Sequence, residues 1–241
     1  MLLKTKKFLK IIPNIIYFNT LIRYGVAAGV EHAQVLNCMK NYNVLTVIDI
    51  GANRGQFALA ARNAFPNAHI ISFEPLCEPA DVFRTIFKDD PLVTFHEIAL
   101  GPDTRETVIH VSNADDSSSL LPISNLQNEL FHGTSEKEVR KVAVKPLAAV
   151  LSRADILTPA LLKMDVQGFE KEVLSGCESL LDKFSYCYIE CSFVELYEGQ
   201  SLAHEVITFL NKHGFGLVGV YNMAYDKKGL AVQGDFLFSR V

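Results

Sequence analysis

The residues of this 241-residue chain that could do chemistry cluster at the ends of its apolar runs. The run Val44–Gly51 leads into Asp49-Ile50-Gly51-Ala52-Asn53-Arg54-Gly55. A glycine here lets the backbone turn sharply and lets a ligand come close, and the helix that follows presents unpaired N–H groups at its start. The glycines are spaced G-x-x-x-G, and Ala52 stands where a dinucleotide turn has its second glycine. That pattern disfavours a pyrophosphate at the turn. Glu74 ends the next apolar run, 23 positions after Gly51. An acid at that place can accept both hydroxyls of a ribose. A ribose without a pyrophosphate fits S-adenosyl-L-methionine (AdoMet).

Asp165 ends a third apolar run, Leu161–Val166, beside Gly168. Its carboxylate is expected to touch a ligand ammonium or an acceptor hydroxyl, with a helix N-cap as the structural alternative. His132 and Ser117–Ser119 lie in the polar stretch 112–136, and long loops in compact domains often cover a site. His132 is therefore a candidate general base. Glu190 and Tyr197 follow the run Tyr186–Ser192 and are candidates for the acceptor side. No metal is expected, because no H-x-x-x-H or C-x-x-C spacing occurs.

Strands are expected at 44–51, 69–73, 92–100, 107–111, 161–166, 186–192, 215–221 and 236–241, with an edge strand at 139–144. Helices are expected at 54–65, 79–88, 169–181 and 201–213, with Pro66 closing the first. Near-continuous apolar strands alternating with helices indicate a mostly parallel sheet covered on both faces. Ligands of such sheets bind outside the carboxyl ends of the strands. Residues 1–43 read as an N-terminal helical arm and 44–241 as one domain.

The net charge is -4, which gives no general case for nucleic acid as a partner. Five cysteines, odd in number and without C-x-x-C, fit small buried side chains in a reducing, cytoplasmic setting. Lys4, Lys6, Lys7 and Lys10 precede the apolar Ile11–Ile16, but Pro13 and Asn14 interrupt it. No 18-residue apolar stretch exists for a membrane span. Peripheral membrane contact through this basic arm is the alternative to simple packing.

The segment VIDIGANRGQFALAARNAFPNAHIISFEP resembles the opening of the FkbM-type methyltransferase family. LLKMDVQGFEKEVLSG resembles its second signature, and YCYIECS and HGFGLVGVY resemble its C-terminal half. The resemblance implies an α/β, Rossmann-like class I methyltransferase fold with a seven-stranded sheet whose last strand is antiparallel. It implies methyl transfer from AdoMet to a small-molecule acceptor, usually a hydroxyl of a sugar, polyketide or other metabolite, with a glycan or lipid-linked sugar among the candidates. It assigns Asp49, Gly51, Asn53 and Gly55 to the AdoMet loop and Glu74 to the ribose. Glu97, Ile98 and Ala99 go to the adenine wall, and Asp165 to the second signature. Leu147-Ala148 stands where the family often has Leu-Asp, and Gln167 where glutamate is commoner. The rival functions are a nucleotide-dependent oxidoreductase on the same fold class and an AdoMet-binding scaffold without turnover.

Overall fold

The computed structural model describes residues 14–241. Ten strands and seven α-helices are found among them. The strands are β1 (Thr46–Ile50), β2 (His69–Phe73), β3 (Val93–His96), β4 (Ala99–Leu100), β5 (Arg105–Ser112), β6 (Glu136–Lys145), β7 (Ala160–Met164), β8 (Tyr186–Ser192), β9 (Phe215–Tyr225) and β10 (Ala231–Arg240). The helices are α1 (Ile15–Tyr24), α2 (Ala33–Met39), α3 (Gln56–Ala64), α4 (Cys77–Phe87), α5 (Asn125–Leu130), α6 (Glu170–Cys177) and α7 (Ala203–Lys212).

Seven strands form one sheet in the order β3-β2-β1-β7-β8-β10-β9. Neighbours from β3 to β8 run parallel, and β10 is antiparallel to both β8 and β9. The last strand is thus antiparallel, as the resemblance implied, and it is inserted between its two predecessors. Strand side chains alternate between the faces. Val47, Leu161, Tyr188 and Leu237 join α1–α4 in one core. Ile48, Ile50, Leu162, Met164, Phe236 and Phe238 join α6 and α7 in the other. Burial on both faces explains why β1 and β7 read as apolar runs.

The sequence reading and the structure differ in the middle of the chain. The stretch 92–100 is not one strand: β3 ends at His96, whose carbonyl accepts from Glu74 N at 3.2 Å, and Ala99–Leu100 leaves to pair with β6. Residues 139–144 are no edge of the main sheet. They belong to the central strand of a second, three-stranded sheet, β4-β6-β5. Stretch 112–136 holds a 3-10 turn at Asp115–Ser117 and α5. The lysines at 4, 6, 7 and 10 lie outside the described residues.

Helix α1 starts at Asn14, whose side chain accepts from Ile16 N and Tyr17 N, and ends at Gly25 in the left-handed region. Its Tyr17, with Val35, Leu36 and Met39 of α2, is buried against α3 and α4. The described part of the arm therefore shares the core of the sheet. Leu36→Ala should lower the unfolding free energy by about 2–5 kcal/mol, the usual cost of truncating a buried leucine. Urea denaturation measures it, and a loss below about 1 kcal/mol would mean that this segment is only loosely attached.

Candidate active site

A cleft enclosing about 230 Å³ opens at the carboxyl ends of β1, β2 and β7. Its floor is the turn after β1. Gly51 N and Ala52 N both donate to Phe73 O at 3.0 Å, which ties the turn to the end of β2. Gly51 has φ +73°, and a Cβ there would lie 1.8 Å from Asp165 O. Only glycine fits between the two strand ends. A Cβ on Gly55, at φ +89°, would meet Phe87 Cε2 at 2.7 Å.

Glu74 is 6% exposed and lies on the cleft wall. Its Oε2 accepts from Asn53 N at 3.0 Å and its Oε1 from Leu76 N at 2.9 Å. Each oxygen keeps further acceptor capacity. Burial pushes this carboxyl up to about 7, against the pull of the two backbone amides.

Asp49 and Lys163 face each other across the β1–β7 ladder. Lys163 Nζ lies 3.3 Å from Asp49 Oδ1 and donates to Gly51 O at 3.0 Å. Burial alone would neutralise this ammonium. The Asp49, Asp165 and Asp235 carboxylates outweigh that and hold its pKa up. Burial pushes the Asp49 carboxyl up, and Lys163 opposes it. We read the pair as ionised, because Lys163 has three anionic neighbours.

Asp165 lies on the cleft wall, and its Oδ1 accepts from Gln167 Nε2 at 2.6 Å. It caps no helix. The amides of Val166 and Gly168 go to Glu170 Oε1 at 3.2 and 3.1 Å. Burial pushes the Glu170 carboxyl up to about 7. Gln167 Nε2 also donates to Glu190 Oε2 at 3.0 Å, and its Oε1 accepts from Tyr197 OH at 2.6 Å. Glu190 thus meets Asp165 through Gln167 and is not on the cleft wall. Burial, and then Asp165 and Asp235, push its pKa well up.

Asp49 stays buried beneath the cleft, while Gly51, Asn53, Glu74, Ile98, Ala99 and Asp165 line it. Glu97 does not: its carboxylate pairs with Arg84 of α4 at 2.5 Å. His132 is exposed after α5, away from the wall. The cleft gains residues that the sequence reading missed: Asp115 and Asp116 from the 3-10 turn, Lys163, and Glu31 and His32 from the arm. Lys163 had a visible signal, a lysine inside the apolar run LLKMDV.

The description "Methyltransferase FkbM domain" matches residues 49–217. The chain belongs to the FkbM methyltransferase family. Among curated relatives, the 2-O-methyltransferase NoeI of Sinorhizobium fredii is 28% identical over 197 residues, covering 78% of this chain and 80% of that protein. Methyltransferase sdnD of Sordaria araneosa is 25% identical, covering 71% and 73%. Methyltransferase 1 of Beauveria bassiana is 27% identical, covering 71% and 72%.

This FkbM methyltransferase is AdoMet-dependent, and its cleft fits that cofactor. Glu74 is a buried acid with acceptor capacity left for a ribose, and the Gly51 turn leaves backbone close to the cleft. Bound AdoMet supplies an electrophilic methyl group on a sulfonium. Glu74 and the Gly51 turn are the residues that would hold the ribose there.

Ribose hydroxyls bound at this place would donate to an ionised Glu74, so binding would favour the deprotonated form. S-adenosylhomocysteine affinity should therefore rise as pH increases through about 7, by the sign of the linkage between a carboxyl pKa raised by burial and one lowered again by the ligand. Glu74→Gln should weaken binding by about 1.5–3 kcal/mol and flatten that pH dependence. Calorimetry between pH 6 and about 8 reads both. Unchanged affinity in the variant would remove Glu74 from the ribose site.

Proposed function

We propose that this FkbM methyltransferase is an O-methyltransferase acting on a hydroxyl of a sugar, polyketide or other small metabolite. The observation that carries this reading is the set of carboxylates on one cleft: Asp116 and Asp165, with Asp115 beside them paired to Arg54. Carboxylates accept hydrogen bonds from hydroxyls, and a rim of them repels a polyanion such as nucleic acid. The relative NoeI, a 2-O-methyltransferase, supports the same acceptor class. In this reading Asp165 holds the methionine ammonium of AdoMet. Gln167 orients it, donating to it without adding a negative charge.

A glycan or lipid-linked sugar is the acceptor we favour, with peripheral membrane contact through the arm. On α1, Ile15 and Ile22 are 70% and 71% exposed. They lie seven positions apart, hence on one helical face. Arg23 is beside them, and four lysines precede the helix in the sequence. Apolar exposure next to cationic charge suits an anionic lipid surface. Among the described residues no helix is long and apolar enough to cross a membrane.

Two measurements test this. Mass spectrometry should show one added methyl on members of a panel of simple glycosides incubated with AdoMet, and none on transfer RNA. Methylated RNA with untouched glycosides would sink the proposal. Asp165→Asn should raise the S-adenosylhomocysteine dissociation constant about tenfold or more while kcat stays similar. A fall in kcat at unchanged affinity would instead make Asp165 the proton acceptor. For the arm, Ile15→Asp with Ile22→Asp should abolish sedimentation with phosphatidylglycerol vesicles. Retention of vesicle binding by that variant would dismiss the α1 contact.

A further inference from the structure

One polar cluster at the cleft lies largely outside the matched residues 49–217. His32 stands just before α2 and reaches the cleft wall from the arm. Its segment is strapped to the start of α3, where Gly29 N donates to Gln56 O at 2.8 Å. The imidazole sits edge-on to Phe57 and to Tyr188, with centroids 5.3 and 5.6 Å away. Its Nδ1 lies 3.0 Å from Tyr188 Oη and 3.5 Å from Asp235 Oδ2. Tyr188 OH donates to that same Oδ2 at 2.8 Å, and Asn222 Nδ2 does so at 2.7 Å.

These contacts decide where the histidine proton sits. Tyr188 has a single hydroxyl hydrogen, and Asp235 takes it. Toward Nδ1 the tyrosine oxygen can then only accept, so Nδ1 carries the hydrogen of the neutral ring. The lone pair is left on Nε2 of a ring that lines the cleft. Burial pushes the Asp235 carboxyl up. The hydrogen bonds from His32, Asn222 and Tyr188 outweigh this and hold it below the usual range, so it stays a carboxylate.

We propose that His32 is the general base that takes the proton of the acceptor hydroxyl, with Asp235 and Tyr188 as its positioning residues. The proposal rests on the hydroxyl-acceptor reading above. The hydroxyl oxygen forms a bond to the methyl carbon while the carbon–sulfur bond breaks and its electron pair stays on sulfur. The hydroxyl proton passes to Nε2 and from the imidazolium to water. Asp235 balances the charge that the ring acquires. The other ionisable groups facing the ring's surroundings are Glu31 on its own segment, Asp49 on β1, Lys163 on β7 and Asp165 just after it. The base is placed at His32 and not at Asp165 because the ring offers its Nε2 lone pair, whereas the Asp165 carboxylate already accepts from Gln167.

The test uses the full chain. Labelled-histidine NMR should show His32 as the Nδ1–H tautomer, and diethyl pyrocarbonate should modify its Nε2, mapped by peptide mass spectrometry. His32→Gln should bind S-adenosylhomocysteine within about threefold of the unsubstituted chain, and its kcat on a glycoside should fall about 10²–10⁴-fold with loss of the low-pH limb. Thermal melts confirm that the variants fold, and Tyr188→Phe, which keeps the ring, should show an intermediate rate. An inert His32, an Nε2–H tautomer, or a tenfold loss of S-adenosylhomocysteine affinity in His32→Gln would overturn the proposal, the last by making His32 a cofactor anchor. If the unsubstituted chain methylates no glycoside, the sugar reading fails. The tautomer and the modification then decide the base by themselves.

Discussion

The site is organised around one buried ion pair, Asp49 with Lys163. The two residues are register partners on neighbouring parallel strands, and both are almost completely withdrawn from water. Taking two charges out of water is expensive, and leaving one of them alone is worse, commonly by about 3–5 kcal/mol. Such a pair contributes geometry more than stability. Lys163 spends a further hydrogen on Gly51 O, so the turn after β1 is fastened to β7. The backbone of Asp165 occupies the place where a Gly51 side chain would be. The turn after β1 and the Asp165 segment are thereby held at a fixed spacing on the cleft, although they come from segments more than a hundred residues apart.

A second constraint is the density of acids at the carboxyl edge of the sheet. Asp165 and Glu190 approach each other closely enough to share a donor, Gln167 Nε2. A glutamate at 167 would put a third carboxylate between two others. The amide turns that repulsion into two hydrogen bonds. Its Oε1 still accepts from Tyr197. Burial has already pushed Glu74 and Glu170 to about 7, so little further negative charge could be accommodated without proton uptake.

Much of the frame was legible in the residues. Buried parallel strands announce themselves as apolar runs, so β1, β2, β7 and β8 were placed close to their true positions. The Gly51 turn and Glu74 follow from local spacing, because turn and acid sit at adjacent strand ends. The third strand was misread as continuous. An apolar run does not record which sheet its residues join, and Ala99–Leu100 joins the smaller one. His32, Tyr188, Asn222 and Asp235 were illegible as a group. They lie on four separate elements, and only the packing of the arm and the insertion of β10 bring them together. Glu97 and His132 had suitable chemistry but unsuitable directions, since a strand end or a loop fixes a residue's neighbourhood without fixing where its side chain points.

The small sheet has one more property. Its chain leaves the main sheet at Ala99–Leu100 and returns at Val144–Lys145, and these two points are hydrogen-bonded to each other. Everything between them, including the turn that brings Asp115 and Asp116 to the cleft, leaves and re-enters through one closed stem, and it is pinned to the rest of the site where Ser119 OH donates to Gln167 O and Tyr197 OH to Ser117 O. A segment whose exit and re-entry coincide can be lengthened, shortened or replaced over evolutionary time without stretching the ladder from β3 to β9. Methyl donation can therefore be inherited unchanged down a lineage while the roof over the acceptor diversifies.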